Sequence, residues 1–104
     1  MTVKEYVERE LCIPVTRIGF KYLVGAIEYV VDTHEHKFYP RISKIYKVTA
    51  RYLEKALRDA KALGLSYMDT GKRNEIFGRE YVATVEYVIK AAEYYRKEVQ
   101  KDGV

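Results

Sequence analysis

The sequence holds one cysteine, two prolines and no tryptophan among 104 residues, and each scarcity removes a class of protein. With Cys12 alone no internal disulfide framework can form, so a crosslinked secreted scaffold is excluded and a reducing cytoplasm is the expected compartment. Six glycines and two prolines are too few for a collagen-like or low-complexity chain. No apolar run approaches the roughly 20 residues that cross a bilayer as a helix. The opening MTVKEYVERELC carries acidic residues and lacks the apolar core of a secretion signal. There is no phosphate-binding glycine loop, serine nucleophile elbow or zinc-protease motif, so the chain is not expected to be an enzyme or to use a cofactor.

What remains is ordinary globular composition, 48% hydrophobic and 33% charged, with 11 tyrosines supplying most of the aromatic content. A chain of this length folds as one domain, 1–104, that buries roughly two thirds of its unfolded surface. Its charge is unevenly spread. Residues 1–36 hold four basic and six acidic side chains, and residues 62–104 hold seven of each. Residues 37–61 hold eight basic side chains against Glu54 and Asp59, so this one segment carries the whole positive excess. Such local concentration is the footprint of a polyanion-binding element, although a solvated helix face produces a similar pattern.

Helical periodicity dominates throughout and no segment alternates at period two. Thr2 and Glu5 form a T-x-x-E capping box for a first helix with Val3, Tyr6, Val7 and Leu11 on one face, ending before Pro14. A second helix, about 19–32, aligns Phe20, Leu23, Val24, Ile27 and Val31, and Gly25 within it suggests close approach of another helix. Pro40 suits the first turn of a short third helix through Tyr46, with Ile42, Ile45 and Tyr46 inward. Thr49 as N-cap and Gly64 as stop bracket a fourth helix, 49–63, with Leu53, Ala56, Leu57, Ala60 and Leu63 inward. A short fifth helix is expected between Asp69 or Thr70 and Gly78. A sixth, about 80–99, is expected to bury Val82, Val85, Ile89 and Ala92. The fold class is therefore all-α, a compact six-helix domain.

Residues 39–57 have the form of a helix-turn-helix: a short helix, a tight connection and a longer helix, with Ile42, Tyr46, Val48 and Leu53 at the buried positions and small Ser43 where the helices cross. Lys47 stands where this turn often carries glycine. On the fourth helix Glu54, Lys55, Arg58 and Lys61 fall within about 80° of Arg51, opposite Leu53, Ala56 and Ala60. Arginine and lysine donate to guanine O6 and N7, and glutamate accepts from cytosine N4, so Arg51, Glu54, Lys55 and Arg58 have base-reading chemistry. The competing reading is a solvated face on which Glu54 pairs with Arg58 at i,i+4. Asp32, His34, Glu35 and His36 are expected to be a polar loop with no metal, and Cys12 a packed thiol rather than a nucleophile.

Three fragments, IPVTRIGFKYLVGAIEYVV, FYPRISKIYKVTARYLEKALRDA and YVATVEYVIKAAEYY, together resemble in order the C-terminal DNA-binding effector domain of the sporulation initiation response regulator, stage 0 sporulation protein A. The G-[FY]-x-Y-L-x-x-A-I string at 19–27, the Y-P-x-I at 39–42 and the T-A-x-x-[VL]-E-[RK]-A-[IL]-R string at 49–58 carry the likeness, the last most specifically. The resemblance implies a six-helix domain whose fourth helix enters the major groove of double-stranded DNA, in the service of transcription regulation. It implies that Glu54, Lys55 and Arg58 read bases, with lysine at 55 where the family carries arginine, and that Arg51 has a less certain counterpart. Arg41, Lys44, Lys47, Thr49 and Lys61 are expected to meet phosphates, and family domains pair head to tail on tandem sites, so a homodimer on DNA is expected. No membrane or small-molecule substrate is expected as partner.

Two departures accompany the likeness. The chain, capped at Thr2, is expected to stand alone without the receiver domain of the full-length regulators. The connections at THEHK and between Phe77 and Tyr81 are shorter than the family's. These departures give weight to an alternative function, a protein-interaction module that modulates a full-length regulator without itself reading DNA.

Overall fold

The computed structural model describes residues 1–100, so the last four positions of the expected domain lie outside the described residues. The chain forms α1 (Val3–Arg9), α2 (Ile18–Thr33), α3 (Tyr39–Tyr46), α4 (Ala50–Tyr67), α5 (Thr70–Phe77) and α6 (Thr84–Tyr94), and α6 runs on into a π-helical turn, Tyr95–Val99. Among the described residues there is no strand. The six-helix, all-α expectation holds.

Helix α2 is the axis of the domain because its buried residues occupy about half of its circumference, wide enough for several helices to pack on it. Phe20, Tyr22, Leu23, Ala26, Ile27, Val30 and Val31 are all buried, and the helix packs on α1, α3, α4 and α6. The capping box at Thr2 is formed, with the Glu5 N–H donating to Thr2 Oγ1 at 3.1 Å and the Thr2 N–H donating to Glu5 Oε1 at 2.9 Å. Tyr6, fully buried, donates its hydroxyl to the Ala91 carbonyl at 2.9 Å and so ties α1 to α6. Gly25 has the role its position suggests: Tyr46 of α3 lies against it, a Cβ there would stand 2.9 Å from the Tyr46 hydroxyl, and that hydroxyl donates to the Lys21 carbonyl at 3.2 Å.

Four boundary or facing expectations are corrected. Gly64 does not stop α4; the helix continues to Tyr67 with Gly64 buried inside it, because the missing side chain lets the backbone lie against Ile13 and the Leu11 carbonyl. Helix α6 begins at Thr84 rather than near 80, since Val82 contributes its carbonyl to Lys61 and is held in the preceding loop. The inward face of α6 is Thr84, Tyr87, Val88, Ala91 and Ala92, followed by Tyr95, so of the four expected residues Val85 is exposed and Ile89 is half-buried. Tyr87 and Tyr95, which the expected inward face did not include, spend their rings in the core; Tyr87 stacks on Phe77 of α5 at 4.7 Å. Likewise Ile45 on α3 is 55% exposed and does not join Ile42 inside.

Candidate nucleic-acid interface

Helices α3 and α4 meet through a turn whose geometry follows from three residues. Lys47 takes the left-handed conformation, φ 55° and ψ 45°, which costs a non-glycine residue about 1 kcal/mol. The Lys47 N–H donates to the Lys44 carbonyl at 3.3 Å and the Val48 N–H to the Ser43 carbonyl at 3.0 Å, which closes the end of α3 in the doubled pattern of a Schellman motif. The turn thus has the shape that glycine would give, with a cation in glycine's place. Thr49 then caps α4, its hydroxyl accepting from the Tyr52 N–H at 3.0 Å.

Leu53 and Leu57 are fully buried and fix the roll of α4, each contributing about 1.5–3 kcal/mol through burial. The opposite wall of the helix is thereby turned to solvent. Thr49, Arg51, Tyr52, Glu54, Lys55 and Arg58 line one open depression of about 530 Å³. Arg51, Lys55 and Arg58 are exposed, and Glu54 is half-buried. Arg58 Nη1 donates to Glu54 Oε2 at 2.9 Å, and with side chains 52% and 40% exposed this ion pair contributes only tenths of a kcal/mol. It holds the two groups ready rather than locking them.

The remaining expected residues divide. Arg41 and Lys44 stand exposed on α3, and Lys47 is exposed in the turn. Lys61 is corrected: it is 5% exposed and faces inward, its ammonium donating to the Val82 carbonyl at 2.8 Å and the Tyr81 hydroxyl at 3.3 Å while lying 4.6 Å from the Tyr81 ring centre. At the edge of the wheel's polar arc, its long stem reaches back over the apolar side and its charge is spent on the α5–α6 loop.

Tyr52 was missed by the sequence reading. It is 45% exposed beside Lys55, and its ring meets Tyr22 edge-on at 6.1 Å, which in turn meets Tyr46 at 5.1 Å. An aromatic next to two cations in the first turn of α4 was the available signal. The stretch around His34 is exposed and, among the described residues, no group of three His, Cys, Asp or Glu could hold a metal ion. Cys12 is half-buried, its thiol directed at the Arg9 and Glu10 carbonyls.

A short helix, a left-handed turn and a longer helix with a charged outer wall define a helix-turn-helix domain of the all-α class. A family model described as "Sporulation initiation factor Spo0A C terminal" matches residues 5–86, from α1 into the first turn of α6, and the chain belongs to that family. No curated protein matches the chain. No helix among the described residues is long and apolar enough to cross a membrane.

Proposed function

We propose that the protein is a sequence-specific DNA-binding transcriptional regulator that inserts α4 into the major groove of double-stranded DNA. The observation that carries this reading is the gathering of Arg51, Glu54, Lys55 and Arg58 round one open depression on the second helix of a helix-turn-helix. Arg51, Lys55 and Arg58 supply donors for guanine edges, and Glu54 supplies an acceptor for cytosine N4. Arg41, Lys44, Lys47 and Thr49 contact the flanking phosphates, which set register and carry no sequence information. At 55 a lysine offers a single point charge without the bidentate fork of arginine, so preference at that base is relaxed. Membership of the sporulation-factor family supports the same reading, and with it a use in sporulation control. Catalysis has no place in it.

The test is selection of bound sequences from a random duplex pool. A recovered consensus establishes direct readout, and the spacing of repeated half-sites within it reports pairing. Recovery of no consensus at low salt overturns the reading.

A second reading is favoured by an apolar groove of about 790 Å³ beside the same helix, lined in part by Ile18, Tyr52, Ala56, Ala60 and Leu63, with Ile18 64% exposed. On that reading the domain docks on a full-length regulator and modulates it. Co-purification with such a regulator, together with no shift of any duplex, would favour it.

A further inference from the structure

The four charged side chains assigned to base reading favour half of the base alphabet. Arg51, Lys55 and Arg58 donate to guanine O6 and N7, and Glu54 accepts from cytosine N4, so their best pairings are with G·C pairs. Adenine is matched by the two-bond fork of Asn or Gln, and α4 contains neither. What marks a T·A pair in the major groove without any hydrogen bond is the thymine 5-methyl group, which is met by an apolar surface. Among Thr49, Arg51, Tyr52, Glu54, Lys55 and Arg58, the residues that line the open depression, Tyr52 is the one that brings an aromatic ring.

Tyr52 lies in the first turn of α4, where a recognition helix meets base edges, and it is 45% exposed. It is held at both backbone and ring. Its N–H donates to the Thr49 hydroxyl at 3.0 Å. Its ring meets the buried Tyr22 of α2 edge-on, with centres 6.1 Å apart and planes at 90°, and Tyr22 meets Tyr46 of α3 at 5.1 Å and 89°. The Tyr46 hydroxyl is itself anchored on the Lys21 carbonyl at 3.2 Å. Three tyrosines thus form an edge-to-face chain from α3 across α2 to α4, and the chain ends at the charged wall. A ring fixed in this way loses little conformational freedom when a ligand covers it. We propose that Tyr52 is a specificity-determining residue that reads thymine, its exposed ring packing on the 5-methyl group of a T·A pair next to the base pair met by Lys55, its neighbour at i,i+3. The charged wall then sets the G·C positions of the site and the tyrosine sets one T·A position. This inference rests on the DNA-reading function proposed above.

The experiment uses the duplex recovered by selection with wild-type protein, a scrambled duplex of equal composition, and copies of the selected duplex in which one thymine at a time is replaced by deoxyuridine, which deletes only the methyl. One such replacement is expected to weaken wild-type binding about three- to fivefold, as for one buried carbon. Tyr52→Phe keeps the ring and should keep that methyl dependence. Tyr52→Ala should bind the thymine and uracil duplexes equally while still preferring the selected duplex over the scrambled one. Each variant is compared with itself on two duplexes, so any loss of folded protein cancels. If no thymine methyl matters to wild type, or if the dependence persists in Tyr52→Ala, the role of Tyr52 is overturned and DNA reading stands. Loss of the dependence in Tyr52→Phe likewise overturns the ring contact. A wild-type protein that does not distinguish selected from scrambled DNA overturns the DNA reading itself, and the Tyr52 role with it.

Discussion

The backbone of α2 touches that of α4 at Gly19 and Ala56: a Cβ on Gly19 would stand 2.6 Å from the Ala56 carbonyl oxygen and 2.8 Å from the Ala60 Cβ. Helix α4 is thus held directly on the central helix at the level of its charged wall. Gly19→Ala gains about 1 kcal/mol of helix propensity but forces two backbones apart, at a cost of about 1–3 kcal/mol or more. The net expectation is a lower melting temperature together with weaker binding to every duplex, since the whole recognition helix shifts. An unchanged melting temperature would show that the helices do not meet this closely.

Lys61 separates structural from DNA-contacting charge. Lys61→Met keeps the stem and removes the ammonium, leaving the Val82 carbonyl without its donor at 2.8 Å. A loss of about 1–3 kcal/mol in stability is expected, measured by denaturant unfolding. The dependence of log affinity on log salt should keep its slope, because the ammonium is not at the surface. A phosphate-contacting lysine would instead lower that slope by about 0.9 on removal.

The contrast shows which parts of the fold were legible. Side chains that act through local rules, the Thr2 and Thr49 caps, the α2 stripe and the outer arc of α4, could be read because their partners lie within one helical turn. Residues whose partners are distant in sequence were misread. Gly64 looks like a helix stop until Leu11 and Ile13 are brought against it, and Lys61 looks solvent-facing until Val82 arrives. Tyrosine was the hardest residue to place. Tyr6 was read correctly from the apolar stripe of α1, but Tyr87 is core, Tyr52 is wall and Tyr81 is 83% exposed, and the sequence reading assigned none of these three.

Those buried phenols set the alkaline limit of stability. Burial pushes Tyr6 and Tyr87 up from the ordinary value, and Tyr39 up to about 12. In the unfolded chain all three titrate near 10, so above that pH the unfolded state sheds protons that the folded state retains. Stability is therefore full below about pH 10 and falls as pH rises through the folded values. Helical circular dichroism and tyrosinate absorbance are expected to change together in one alkaline transition. Tyr87→Phe, which removes an unpartnered hydroxyl, should move that transition to higher pH without lowering stability at neutral pH. Ordinary, non-cooperative titration of every tyrosine in a folded protein would contradict it.

The sharpest functional contrast lies between Arg58 and Lys44, both exposed and both positive. Arg58 stands on the wall of α4 with Glu54, whereas Lys44 stands on α3, the helix that precedes the turn. Arg58→Ala is expected to cost about 1–3 kcal/mol on the selected duplex and to blur preference at one base pair, because a base-edge contact carries sequence information. Lys44→Ala is expected to weaken selected and scrambled duplexes alike and to lower the salt slope by about 0.9, as loss of one phosphate contact does. Binding titrations of both variants on both duplexes at several salt concentrations distinguish the two. Equal losses for Arg58→Ala on selected and scrambled DNA would reduce it to a phosphate contact and leave α4 without a base reader at that position.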